Sequence, residues 1–430
     1  MLRSTFSLTL LLLVSLLAAQ TSSIQKSPLL AEASPQSVGM SPERINRIDA
    51  MLQQAVNDNE VPGMVALIAR HGKIVYYKSF GESDQAAGRK FANDDIFRIA
   101  SQSKAITSTC VMMLWEEGKF QLDDPISKYI PEFKNPQILQ SFRYSDTTYT
   151  TVPAAHEITI RHLLTHTSGI GYGVIDGDER FKMIYRKAGI TDLFTTEKIT
   201  IAESVKKLAR LPLHHEPGTK FVYSEGLDVL GYLIEIVSGM PFDEFARTHL
   251  FEPLGMKDTW FYLPADRASR LIPVQTPDGT KWKHYPVTFY DPDYPRKGAK
   301  TFFSGGAGLS STAKDYATFL QMYLNGGELN GQRILSRTTV QSIMGNQFPD
   351  ANTNPSSYYG LAFGVTTPRG QDLGGEGSAG TFDWGGYFNT QYFADPQEGV
   401  IGILMKQTQG TNNDKTGWRF RQMVFAAIDN

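Results

Sequence analysis

Cysteine is almost missing from this 430-residue chain. Cys110 is alone, so no internal disulfide can staple the fold, and its place in the apolar run Thr109–Leu114 reads as packing. An excess of either charge is missing too. Lys and Arg total 42 against 44 Asp and Glu, a net of −2, with no basic run or aromatic-interleaved patch, which excludes nucleic acid and anionic membrane surfaces as expected partners. One long apolar run exists, Phe6 to Leu17, and it is too short to span a bilayer. With Arg3 before it and Leu17-Ala18-Ala19-Gln20 after it, residues 1–20 read as a signal peptide cleaved near Ala19. The mature chain is then exported, periplasmic or secreted, with no stable membrane anchor; an uncleaved N-terminal anchor is the alternative. No Gly-x-Ser-x-Gly string occurs, which argues against an α/β-hydrolase. No His-Glu-x-x-His occurs either: His162 and His166 stand at i, i+4 without the glutamate, and His166 reads as a structural residue at a helix end.

What is present begins with a core. With 41% apolar residues the chain can bury one or two domains. Ser41-Pro42-Glu43 gives an N-cap, a first-turn proline and an early acid before Ile45, Ile48, Met51 and Leu52 recur at helical spacing. Met64–Ala69 and Ile74–Tyr77 flank the turn His71-Gly72-Lys73 as a strand pair. Near the other end, Thr390–Ala394 and Val400–Met405 bracket the turn Asp395–Gly399, and a helix follows from about Trp418 to Ile428. Strands at both ends with helices between predict one antiparallel sheet closed by the two termini, with a helical region inserted.

The chemistry is concentrated in Ser101-Gln102-Ser103-Lys104. Residues at i and i+3 share a helix face, so a hydroxyl and an amine stand side by side. A desolvated lysine amine can take the proton of the serine hydroxyl, which makes a nucleophile with its base attached. Three further strings follow in the inserted region. Ile158–Gly169, containing Leu163-Leu164-Thr165-His166-Thr167-Ser168-Gly169, reads as a capped helix ending at glycine. Glu216-Pro217-Gly218 leads by a short extended piece to Tyr223-Ser224-Glu225 and a helix from about Leu227 to Val237. Ser304–Asp315, with Gly305-Gly306-Ala307-Gly308-Leu309, reads as a glycine-rich loop capping another helix.

In that order the strings resemble the serine β-lactamase-like family of class C β-lactamases, DD-peptidases and esterases, from Val38 to the C-terminus, and lie closest to its esterase branch. The resemblance implies an α/β (α+β) fold of the β-lactamase/transpeptidase type: an antiparallel sheet flanked by the N- and C-terminal helices, with an inserted, mainly helical region. Residues 21–37 are then a linker, 38–100 and 300–430 the sheet part and 101–299 the helical part of one catalytic domain. It also implies Ser101 as nucleophile, Lys104 as base, Tyr223 as proton relay, and the backbone N–H groups of Ser101 and Tyr387 as an oxyanion hole. The family's Lys-Thr-Gly is matched by Trp384-Gly385-Gly386, and its Tyr-x-Asn by Tyr223-Ser224-Glu225.

Those two departures bear on the substrate. Glu225 replaces an amide that would meet an acylamino group, and as a charged acid facing a ligand carboxylate it would repel it; Trp384 replaces a cationic lysine and offers stacking area with one N–H donor. Trp384 also reads as a core aromatic, and Glu225 as an exposed acid near a helix start. Esterase members of the family resemble this chain in carrying Trp-Gly-Gly. The expected activity is therefore hydrolysis of small-molecule carboxylic esters, with amides or peptides as further substrates, through an acyl-enzyme without metal or other cofactor. A β-lactamase or D-Ala-D-Ala-type peptidase is the alternative, and a non-catalytic wall-peptide or β-lactam sensor the alternative of another class. Trp282, Tyr285, Phe289, Tyr290 and Tyr294 stand in a loop that reads either as packing or as the wall of an apolar acyl or alcohol site.

Overall fold

The computed structural model describes residues 21–349, 354–374, 377–411 and 414–430; the expected leader, 1–20, lies outside them. A nine-stranded sheet forms the frame. Its centre is Gly63–Arg70, paired antiparallel with Val400–Met405 on one side and with Lys73–Asp84 on the other. From Val400–Met405 the order continues through Thr390–Asp395 and Phe382–Gly386 to the short strands Gly364–Thr366 and Ser357–Tyr359.

Both faces of the central strand are covered, which is why its sequence is a continuous apolar run rather than an alternating one. Met64, Ala66 and Ile68 face the helices Pro42–Asn57 and Thr416–Ala426, packing with Ile48, Leu52, Phe420 and Val424. Val65, Leu67 and Ala69 face the opposite way, into a larger core shared with the helices Ser103–Glu116, Gly226–Ser238 and Ala313–Leu324. The caps act as the sequence implies: Ser41 accepts from Arg44 N–H, and Thr312, ahead of the last of these helices, accepts from Asp315 N–H. Cys110 is buried in the larger core, and burial pushes its thiol up.

Three details differ from the sequence reading. The segment 21–37 is not a free linker, because Thr21–Ser22 pairs with Gln332–Arg333 and Ala31–Glu32 adds to the sheet edge in parallel with Lys73–Ile74. That parallel pair also makes the sheet not wholly antiparallel. The helix expected to run to Gly169 covers only Ile160–Leu164, since His166 takes a left-handed φ of 56° that no α-helix continues through. Among the described residues, no helix is long and apolar enough to cross a membrane.

Candidate active site

Ser101 sits in a 3₁₀ turn, Ala100–Gln102, that feeds directly into the helix Ser103–Glu116. Ala100 just before it has a φ of 42°, a left-handed conformation that costs a non-glycine residue about 1–2 kcal/mol. The surroundings fix it there. Ile99 N–H donates to Leu309 C=O, Arg98 N–H donates to Gln407 Oε1 at 2.8 Å, and Tyr316 OH donates to Gln102 C=O at 3.0 Å. Strain held by its neighbours on both sides of a reactive side chain is a feature of functional sites.

Lys104 lies in the first turn of that helix and is fully buried. Its Nζ is 3.3 Å from Ser101 Oγ and donates to Gly306 C=O at 2.8 Å. The same Nζ is 4.5 Å from the ring centre of Tyr223 and 5.6 Å from that of Tyr172. The glycine-rich loop can approach this closely only without side chains. A Cβ on Gly305 would stand 2.3 Å from Leu227 O, and one on Gly306 would crowd Asp228 Oδ1 at 3.2 Å.

Tyr223 is placed by His166. Val222 N–H donates to His166 C=O, Ser224 N–H donates to His166 Nδ1 at 3.2 Å, and the two rings lie 4.6 Å apart. Burial, and then the nearby Lys104, push the imidazole well below its ordinary range, so it stays neutral. Its left-handed backbone and its ring thus serve one end, the position of the tyrosine.

Across the cleft, Trp384 Nε1 donates to Tyr223 OH at 3.4 Å. The neighbouring strand Gly364–Thr366 pairs only as far as Asp383, so the Trp384–Gly386 edge is left open toward the nucleophile. Gly386 lets this strand come against the nucleophile segment, because a Cβ there would stand 2.5 Å from Ile99 O. Ser101, Tyr223, Trp384 and Gly385 line one cleft of about 540 Å³ that runs on past the Asp383–Arg421 ion pair to Trp418. Tyr387 follows Gly386, with its ring packed against Phe388 and its C=O accepting from Gln409.

Glu225 is the correction. It is neither exposed nor turned into the cleft; it is 2% exposed and its carboxyl faces Asp192 beneath the site. Burial, followed by the facing Asp192 and Asp228 carboxylates, pushes Glu225 well above its ordinary range, and burial also pushes Asp192 up. Among the described residues, Glu225 Oε1 and Asp192 Oδ1 have no N–H or O–H partner, an arrangement that a proton shared between the two carboxyls accounts for. A protonated Glu225 cannot repel a ligand carboxylate. Nearby Asp228 accepts from Gly306 N–H at 2.7 Å and Ser304 Oγ at 2.8 Å, and burial holds it at about 6 despite those bonds. Asp228 stands inside the apolar run Leu227–Leu230, a misfit that could have marked it from sequence; Asp192 and Tyr172 carried no such signal.

In the aromatic loop, Tyr290 and Tyr294 are buried against Phe194, and Trp282 is buried with its Nε1 donating to Asn59 Oδ1, so these three rings pack the fold. Phe289 is 38% exposed, and Tyr285 is partly buried in a cluster that also holds Tyr223 and Tyr387.

A family model described as Beta-lactamase matches residues 48–426. Esterase EstB of Burkholderia gladioli is 30% identical over 384 residues, covering 84% of this chain and 90% of the relative. A protein of Escherichia coli strain K12, provisionally described as a D-alanyl-D-alanine carboxypeptidase, is 29% identical, covering 92% of this chain and 89% of its own. Among solved structures, "EstCE1, a hydrolase with promiscuous acyltransferase activity" superposes with a TM-score of 0.74 at 25% identity, over 90% of this chain and 98% of that one.

Proposed function

Because the chain belongs to the Beta-lactamase family of serine hydrolases, we propose that it is a carboxylesterase whose nucleophile is Ser101, with Lys104 and Tyr223 moving protons. The observation that carries this reading is the 3.3 Å approach of a fully buried lysine amine to the Ser101 hydroxyl. Lys104 takes the hydroxyl proton as Ser101 Oγ bonds to the ester carbonyl carbon. The N–H groups of Ser101 and Tyr387 hold the oxyanion. Tyr223 then protonates the departing alcohol oxygen as the C–O bond breaks, leaving an acyl-serine. Water attacks that acyl carbon, its proton passes back through Tyr223 and Lys104, and the acid leaves with Ser101 restored.

Selectivity for neutral esters rests on Trp384 and on the missing amide at position 225. A β-lactam carboxylate finds no lysine at position 384, and its acylamino group finds a buried carboxyl turned away. A charge-assisted hydrogen bond is worth about 1.5–3 kcal/mol, or roughly ten- to a hundredfold per contact. Export, with loss of residues 1–20, belongs to the same proposal. The test is kcat/KM of the mature chain for p-nitrophenyl acetate and butyrate against nitrocefin and a D-Ala-D-Ala peptide. The esters are expected to lead by at least tenfold; equal turnover of nitrocefin would replace esterase by β-lactamase or peptidase.

A further inference from the structure

A second cavity, of about 250 Å³, shares Trp384 as a wall with the Ser101 cleft. Its walls are Phe221, Phe348, Tyr358, Tyr359 and Trp384. Among the described residues, the rest of its lining is threonine, serine, asparagine and glycine. Trp384 is the partition. Its pyrrole edge donates to Tyr223 OH at 3.4 Å, while its benzo edge lies 3.5 Å from the position a Cβ on Gly364 would take. Tyr359 stacks edge-on against the same indole at 5.0 Å, and Phe221, 41% exposed, stands 5.8 Å from Tyr359. An apolar side chain of that size left open to water beside an apolar cavity suits a ligand that covers it.

We propose that this cavity is the subsite for the alcohol portion of the ester, and that it takes a single-ring or branched alkyl group. The inference rests on the reading of Ser101 as nucleophile and Tyr223 as the acid. An acid must touch the oxygen it protonates. Tyr223 OH is held at the Trp384 indole, so the substituent on the departing oxygen starts at the Trp384 wall that this cavity shares with the cleft. The acyl portion keeps the larger cleft toward Gly385 and Trp418. An apolar cavity of about 150 Å³ is enough for benzene, so the volume here admits one ring on a short linker.

The experiment uses the mature chain, a pH-stat and two ester series. In the first the acyl group stays acetate and the alcohol runs ethyl, isobutyl, benzyl; in the second the alcohol stays ethyl and the acyl group runs acetyl, butyryl, phenylacetyl. Burying a phenyl-sized group is worth roughly 10- to 100-fold, so benzyl acetate is expected to exceed ethyl acetate in kcat/KM by at least tenfold. Gly364→Val, which fills the cavity beside the indole, lowers the benzyl-to-ethyl ratio by roughly that factor and leaves the ratios within the acyl series in place. Phe221→Ser opens the cavity mouth at a partly exposed position and lowers the same ratio should Gly364→Val not fold. A wild-type benzyl-to-ethyl ratio near one, or a ratio unchanged in both variants, overturns the subsite while the esterase reading stands. A shift in the acyl series instead assigns the cavity to the acyl group and overturns the proposal. Failure of the wild type on every ester in both series removes the reading on which it rests.

Discussion

Two lysines of this protein are buried to the same depth and surrounded in opposite ways. Lys406 Nζ meets Asp414 and donates to Thr416 Oγ1 at 2.8 Å, with both ionic partners 4% exposed or less. Burial pulls Lys406 below its ordinary range while Asp414 holds it up; burial would raise Asp414, but Lys406 and the Thr416 bonds bring it below the usual carboxylate range. Lys104 forms no ion pair among the described residues. It is given a serine hydroxyl, a carbonyl oxygen and two aromatic faces. The first arrangement fastens the strand Val400–Met405 to the start of the C-terminal helix. The second leaves an amine whose nearest polar side-chain partner is the proposed nucleophile.

The sharpest way to break this contrast is to remove each amine. Lys104→Ala is expected to lower kcat by roughly 10²–10⁴, the range for a general base. It also leaves the Gly306 carbonyl unmet, which costs about 1–3 kcal/mol of stability, and a cavity where the buried stem was. Lys406→Ala should do the reverse. It leaves Asp414 charged, buried and unpaired, which costs about 3–5 kcal/mol of stability, while kcat of the folded fraction stays near that of the wild type. Urea denaturation and ester turnover measured on both variants decide it, and a Lys104→Ala enzyme with more than a third of wild-type kcat would mean that another residue is the base.

The contrast extends to acids. Asp414 faces a cation in contact, whereas Asp315 is met by Asp258 N–H and the Thr259 hydroxyl, and burial pushes it up to about 6. A carboxyl raised from 3.8 binds its proton more readily in the folded chain. Wild-type stability therefore falls as pH rises from about 4 to 6, by up to about 3 kcal/mol from this group. Asp315→Asn removes that slope, so its stability relative to wild type should improve with rising pH and level off above about 7. A pH-independent difference between the two would contradict it.

Glu225→Gln carries the smallest expected effect. A glutamine amide can donate to Asp192 as a protonated glutamate does, so folding and ester kcat/KM are expected within about threefold of wild type. A large gain in β-lactam turnover from this single change would return position 225 to the cleft.

The parts of this molecule that were legible in its sequence are those written locally. The helices Pro42–Asn57 and Thr416–Ala426 and the strands Gly63–Arg70, Thr390–Asp395 and Val400–Met405 carry their own caps, periods and turns. Ser101 and Lys104 were legible because three residues of spacing on a helical turn fix their distance. Glu225 was misjudged because its environment comes from Asp192, thirty-odd positions away, and burial reverses what its charge implies. The cavity behind Trp384 escaped because it joins Phe221 to Tyr359 through short strands, Ser357–Tyr359 and Gly364–Thr366, that have too few residues to show a period. The helix that stops at Leu164 gives way to the left-handed His166, whose C=O and ring meet the segment of Tyr223, contacts that a local pattern does not show.

Covalent capture tests the central claim, that Ser101 is a nucleophile served by Lys104, most directly. The mature chain is treated with a fluorophosphonate, and the adduct is located by peptide mass spectrometry in wild type, Ser101→Ala and Lys104→Ala. The account predicts a single phosphonylated site at Ser101, none in a folded Ser101→Ala protein, and labelling slowed by at least a hundredfold in Lys104→Ala. An adduct on another residue, or undiminished labelling of folded Ser101→Ala, would contradict it.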